Sequence, residues 1–182
     1  MRTTTRTGLT LAGLLAGALL AGCAADAEFN QADVAFAKEM IPHHEQAVVM
    51  AELVAERTDN RDLRELAADV EAAQDPEIEA MTAMLDEWGE PAPEPHDAAD
   101  HAAHDMPGMM SEEQMANLAD ARGAEFDRLW MEMMIEHHEG AIEMAETQLE
   151  DGINTEASEL AEDIIEVQEA EIDLMRDMLD RQ

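Results

Sequence analysis

Two pairs of adjacent histidines, His43/His44 and His137/His138, are the residues of this sequence best suited to chemistry. Each pair has the same setting, Met40-Ile41-Pro42-His43-His44-Glu45 and Met134-Ile135-Glu136-His137-His138-Glu139. Imidazole nitrogen binds borderline and soft metals, and a thioether one helical turn earlier adds a soft donor. Met with His is a ligand set for Cu(I) and, by softness, for Ag(I). A di-iron carboxylate bundle would instead place Glu three residues before a His in each half. Met40 and Met134 occupy those places. The H-E-x-x-H pattern of zinc proteases and the C-x-x-C-H pattern of covalent haem do not occur. No haem or nucleotide cofactor is expected. Neighbours on a helix point about 100° apart, so one His of each pair can face a bundle axis while the other sits at its flank. Read as bare structure, the inner His is a satisfied core residue and the outer one is solvated.

The elements that carry these pairs are repeated. Residues 33–86 align with residues 127–180 at a constant offset of 94, and 23 of the 54 positions are identical. The identities include Ala47/Ala141, Met50/Met144, Asp69/Asp163, Gln74/Gln168, Glu77/Glu171, Met81/Met175 and Met84/Met178. A match of this length without gaps is duplication of one structural unit. Each unit reads as two helices. Val34, Met40, Ile41, Ala47, Val48, Ala51 and Val54 recur at three- and four-residue spacing. The second helices carry Leu63/Leu66/Val70 and Ile78/Met81/Leu85, or Leu160/Ile164/Val167 and Ile172/Met175/Leu179. Asn60 and Asn154 are the expected helix caps between them. Two hairpins with one apolar stripe each bury those stripes best against one another, which predicts an all-α, pseudo-two-fold four-helix bundle. Pro42 and Pro76 fall inside first-repeat helices, where kinks are expected. Met50, Met81, Met144 and Met175 read as core filling.

Composition excludes several partners. Acidic residues number 44 against 10 basic ones in 182, a formal charge of −34. Nucleic acid and anionic lipid headgroups need clustered Lys and Arg, so neither is an expected partner. A hydrophobic content of 46%, rich in helix-forming Ala, Leu and Met, is not that of a disordered acidic tail.

Arg2 and Arg6 precede an apolar run from Leu9 to Ala21, too short to span a bilayer and read as a secretory signal. It ends Leu20-Ala21-Gly22-Cys23, which resembles a bacterial lipobox with Cys23 as the lipidated residue. Cys23 is the only cysteine, so disulfides and thiolate metal sites are not expected. The chain divides into a signal peptide (1–22), a tether (23–28), a first hairpin (29–88), a His/Met-rich linker (89–110) and a second hairpin (111–182). The hairpins form one joint domain over 29–182. The linker carries His96, His101, His104, Met106, Met109 and Met110. Of these, His101, His104, Met106, Met109 and Met110 are further candidate ligands. Ser111-Glu112-Glu113-Gln114 is a capping-box signature opening the next helix, and Gly123 marks an expected break or close helix approach before the second repeat.

The pattern M-I-x-H-H-x-x-A-x-x-M-A, present twice, with Met106-Pro107-Gly108-Met109-Met110 between and Q-x-x-E-I-x-x-M after each, resembles the domain-of-unknown-function 305 family. The resemblance covers about residues 29–179. It implies a ferritin-like helical bundle, export, and copper binding, with motif positions at Met40, His43, His44, Met50, His137, His138 and Met144. Three readings follow. The first, which the residues favour, is an exported copper-binding lipoprotein of the cell envelope that sequesters Cu(I) or passes it to a partner protein, and not an enzyme. The second is a redox enzyme on a ferritin-like bundle, disfavoured by the missing Glu-x-x-His motifs. The third is a metal-free envelope interaction protein.

Overall fold

The computed structural model of the chain describes residues 28–93 and 106–181. The expected signal segment and Cys23 lie outside these residues, as do His96, His101 and His104. Five helices follow in order: α1 (Gln31–Arg57), α2 (Arg61–Trp88), α3 (Glu112–Asp120), α4 (Gly123–Asp151) and α5 (Thr155–Asp180). The described residues contain no strand. No helix among them is long and apolar enough to cross a membrane.

Local chemistry sets the helix ends. Asn30 opens α1 with a capping box closed by Asp33, and Ser111 opens α3 with one closed by Gln114. Asn60 and Asn154 cap α2 and α5 from matching positions of the repeat, accepting from Leu63 N and Ala157 N. Gly89 ends α2 at φ 71°, and Gly123 begins α4 at φ 59°. Both values lie in the left-handed region that glycine reaches without a Cβ penalty. Helices α1 and α2 run unbroken through Pro42 and Pro76.

The two repeats become two hairpins, α1–α2 and α4–α5, joined chiefly by α1 against α4; α2 and α5 approach each other sparsely. The core has two apolar clusters. One holds Met50, Leu63, Val70, Trp130, Met134 and Met175, and the other holds Phe36, Met40, Met81, Leu85, Met144 and Ile164. The offset of 94 exchanges them: Met40 and Met134 lie in opposite clusters, as do Met50 and Met144, and Met81 and Met175. Each long helix crosses from one cluster to the other at a polar layer. That layer is His43/His44 on α1, Gln74/Glu77 on α2, His137/His138 on α4 and Gln168/Glu171 on α5. The pseudo-two-fold axis therefore runs through the layer.

One expected stripe differs. Val167 is 39% exposed, because Gln168 takes the inward position of α5, matching Gln74 of α2. Ile78, Leu160 and Leu179 are half-buried at the cluster margins.

Near the N-termini of α1 and α4 a repeated Asp binds the opposite hairpin. Asp33 accepts from Gln148 Nε2 (2.6 Å) and from the backbone N–H of Ile153 and Asn154 in the α4–α5 loop. Burial raises its pKa, but the hydrogen bonds from Gln148, Asn30, Asn154 and Ile153 outweigh that and hold it below the usual value. Asp127 makes the counterpart contact, accepting from Asn60 Nδ2 at 2.9 Å.

Candidate metal centre

The four histidines of the two pairs are fully buried. The flank position expected to be solvated is not, because position 44 points at α2 and position 138 at α5. His44 Nε2 lies 2.8 Å from Glu77 Oε2, and His138 Nε2 lies 2.7 Å from Glu171 Oε2. The other two meet between α1 and α4, where the rings of His43 and His137 have centroids 3.8 Å apart at 37°. His43 Nε2 donates to the Pro107 carbonyl at 3.0 Å.

These partners fix tautomers. A carbonyl or an ionised carboxylate only accepts, so His43, His44 and His138 each carry a hydrogen on Nε2. The Nδ1 atoms of these three are buried without a hydrogen-bond partner, and His137 has none at either ring nitrogen. A buried unsatisfied polar atom costs about 1–3 kcal/mol, and five imidazole nitrogens, with Gln74 Nε2 and Oε1 and Gln168 Oε1 beside them, make the layer an expensive arrangement unless something binds them. Imidazole with one nitrogen on a carboxylate and the other free is the usual state of a metal-ligating histidine, the outer partner setting ring orientation and basicity. Protonation is suppressed. Burial, followed by the neighbouring His44, lowers the His43 pKa to about 3 against the Pro107 hydrogen bond. Burial, then His43, His138 and His44, drives that of His137 well below its usual value. Neutral imidazole is the ligating form.

The surroundings are soft. Met40 and Met134 are fully buried one turn before the His pairs, on opposite sides of the layer. Among the described residues, no group of three or more His, Cys, Asp or Glu converges tightly enough to hold a metal ion. A cation held here in this arrangement would complete its shell with other donors, and thioether is the type at hand.

The linker is divided. His101 and His104 lie outside the described residues. Met106 and Met109 are half-buried in a turn that crosses the His layer. Met110 is 3% exposed and sits in the apolar cluster with Trp130 and Met134, so it packs as core. Gln46 fastens it, accepting from Met110 N at 2.7 Å and donating to Met110 O at 2.9 Å. On the other side the turn rests on α4 at Gly140, where an added Cβ would overlap the Pro107 carbonyl. Gln46 and Gly140 occupy the same position of the two repeats. The duplication thus diverged where the linker needs a clamp on one helix and a gap on the other.

Sequence reasoning missed these two residues and also Glu77, Glu171, Gln74 and Gln168 as members of the site. The signal was present: each of those four is a polar residue identical across the repeat, on or beside an otherwise apolar stripe. Met50, Met81 and Met175 are fully buried and Met144 is 8% exposed, core filling as their spacing implies.

Residues 33–179 match the family described as Domain of unknown function (DUF305). The chain is similar to a DUF305 fragment from Deinococcus radiodurans, with 33% identity and a TM-score of 0.76 over 84% of this chain and 98% of that one. It is similar to a DUF305 protein of Streptomyces coelicolor described as secreted, with 34% identity and a TM-score of 0.73 over 82% and 93% of the two chains. It is also similar to CopM, solved in Cu(II)-, Cu(I)- and Ag-bound forms. The Cu(II)-bound form is 31% identical, with a TM-score of 0.71 over 82% of this chain and 96% of that one. Among curated proteins, L153 of Acanthamoeba polyphaga mimivirus is 36% identical over 55 residues, which is 30% of this chain. The match spans 36% of the length of that relative.

Proposed function

The chain belongs to the DUF305 family, and from that premise we propose that it binds a soft monovalent cation, Cu(I) or Ag(I), at its buried histidine layer. The observation that carries the reading is the set of unpartnered imidazole nitrogens between two methionine-rich clusters, with His43 and His137 kept neutral by burial. CopM, a similar chain, is known in Cu(I)- and Ag-bound forms. The role is binding for sequestration or transfer, without catalysis. Cu(I) and Ag(I) accept thioether and imidazole at low coordination number, whereas Zn(II) gains little from thioether and prefers four imidazole, thiolate or carboxylate ligands. His43, His44, His137 and His138 are the nitrogen donors of this reading. Met40 and Met134 are its sulfur donors, and Met106 and Met109 lie on the covering turn.

The place of action in this reading is outside the cytoplasm, on a lipid anchor at Cys23. The lipobox motif and the description of the Streptomyces relative as secreted support it. Several acyl chains hold a protein firmly on a membrane. A Cys23→Ser variant that stays with the membrane fraction would contradict the anchor.

Competition with a chromogenic chelator tests the metal reading. Cu(I) should bind more tightly than Zn(II). Met40→Leu with Met134→Leu conserves volume and apolarity, so the bundle survives while Cu(I) affinity falls and the weaker Zn(II) affinity stays nearly constant. A Cu(I) titration of that variant overlaying wild type would reduce both methionines to core residues.

A further inference from the structure

The histidine layer is covered by the linker turn on one side and, on the other, lies behind two part-exposed carboxylates at the floor of a groove. On the α1–α4 side, Pro107 and Gly108 lie over His43 and against Gly140, with Gln46 holding the following residue. The depression beside that turn measures about 200 Å³ and is lined by Glu39, Pro107 and Glu143 among others. On the opposite side α2 and α5 diverge, leaving a groove of about 760 Å³. Its walls carry Asp69, Glu77, Asp163, Glu166 and Glu171, and no basic residue is among those lining it.

Glu77 and Glu171 have a double position. Their side chains are 14% and 13% exposed in the groove, while the histidines bonded to them, His44 and His138, are 0% exposed. Gln74 and Gln168, the other α2 and α5 members of the layer, are 2% exposed. The two carboxylates are thus the members of the layer that reach solvent. Behind each stands an imidazole whose second nitrogen has no partner. An acidic cleft with low-dielectric walls raises the local cation concentration and the association rate.

From these observations, and resting on the metal-binding reading above, we propose that the α2–α5 groove is the passage by which a soft monovalent cation reaches the buried histidines. Glu77 and Glu171 receive it at the inner end. A cation attracted into the groove meets a carboxylate first and the imidazole held by that carboxylate next. Exchange of the ion for the Nε2 hydrogen bond at the carboxylate brings it beside the His ring, and the free Nδ1 draws it inward. The covered face then serves to hold the linker turn rather than to admit the ion.

The test measures rates separately from equilibrium, using Ag(I), which needs no reductant. The full chain is mixed with Ag(I), quenched after set times with excess thiosulfate, desalted, and its bound silver counted by mass spectrometry. Equilibrium dialysis gives the final silver content. Ala73→Trp with Ala170→Trp fills the groove from its walls without touching the layer. Glu39→Trp with Thr147→Trp fills the depression on the covered face. The groove variant should take up silver at least tenfold more slowly and reach the wild-type content, while the other variant stays within twofold of wild type. Glu77→Gln with Glu171→Gln keeps a hydrogen-bond acceptor for each His but removes two charges. Its uptake should slow severalfold and depend less steeply on salt, since Asp69, Asp163 and Glu166 still line the groove.

Wild-type rates in the groove variant, or slowing confined to the variant on the covered face, would overturn the passage. So would an unchanged rate and salt dependence in the Gln variant, which decides the matter alone if the Trp variants fail to fold. Wild-type protein that holds no silver at equilibrium would instead refute the metal-binding reading, and the passage with it.

Discussion

Gly140→Ala separates two opposing effects at one atom. In the interior of an exposed helix, replacing Gly by Ala stabilises by about 1 kcal/mol. Position 140 lies inside α4, so propensity alone favours the substitution. The new Cβ would overlap the Pro107 carbonyl, which is backbone and cannot rotate away, and Gly108 has the same tight relation to α4, with Glu136 O at 2.6 Å from its own added Cβ. The 106–110 turn must therefore lift. Lifting exposes Met110, worth about 2 kcal/mol for a buried side chain of that size. It also breaks the two Gln46 hydrogen bonds to Met110 and the His43 hydrogen bond to the Pro107 carbonyl, at about 1 kcal/mol each. Set against the helix gain of about 1 kcal/mol, the net is destabilisation of about 4 kcal/mol if the turn detaches and less if it shifts locally. The assay is urea unfolding with the slope m monitored, alongside proteolysis at the 106–110 turn. The expected result is a lower midpoint and faster cleavage. A midpoint raised by the equivalent of about 1 kcal/mol, with cleavage unchanged, would show that the turn does not rest on α4.

Acid should destabilise the metal-free protein in a defined window. His43 has a folded pKa of about 3, and an unfolded histidine titrates near 6.5. Between those values the unfolded chain takes up a proton that the folded chain refuses, so stability is complete above pH 6.5 and falls below it. The loss from His43 alone is about 2 kcal/mol by pH 5, with His137 acting in the same direction. Urea midpoints at pH 7 and pH 5 that coincide would contradict a buried neutral pair. The repeated aspartates should respond unequally. Asp33→Asn puts an amide against the donors of Gln148, Ile153, Asn154 and Asn30 and should cost about 2–4 kcal/mol. Asp127→Asn, facing the single Asn60 amide, should cost no more than about 1 kcal/mol. Equal shifts in urea midpoint would refute the asymmetry.

The duplication made most of the bundle legible before any coordinates. Offset identities located the hairpins, Asn60 and Asn154 marked the caps, and Ser111 with Gln114 marked the short helix. The His pairs were legible for the same reason, since residue type and setting recur. What escaped was three-dimensional. Nothing in a single pair says that position 44 meets α2 while position 43 meets its own repeat partner, because that depends on how the hairpins dock. Val167 misled because α5 gives its inward position to Gln168, a choice made by the polar layer and not by hydrophobic periodicity. Gln46 and Gly140 were invisible because they differ between the repeats, and what they share is the linker turn lying between them. The resemblance to the DUF305 family was present in the motif itself, and the match over residues 33–179 bears it out.

Binding of a soft cation at the layer formed by His43, His44, His137 and His138 can be seen in a crystal of the protein loaded with Cu(I) under anaerobic conditions and measured on both sides of the copper absorption edge. An anomalous peak is expected inside the bundle, within coordination distance of at least one of the unpartnered imidazole nitrogens and of a methionine sulfur. Copper found only on surface carboxylates or on residues 94–105, with the four histidines unliganded, would contradict it.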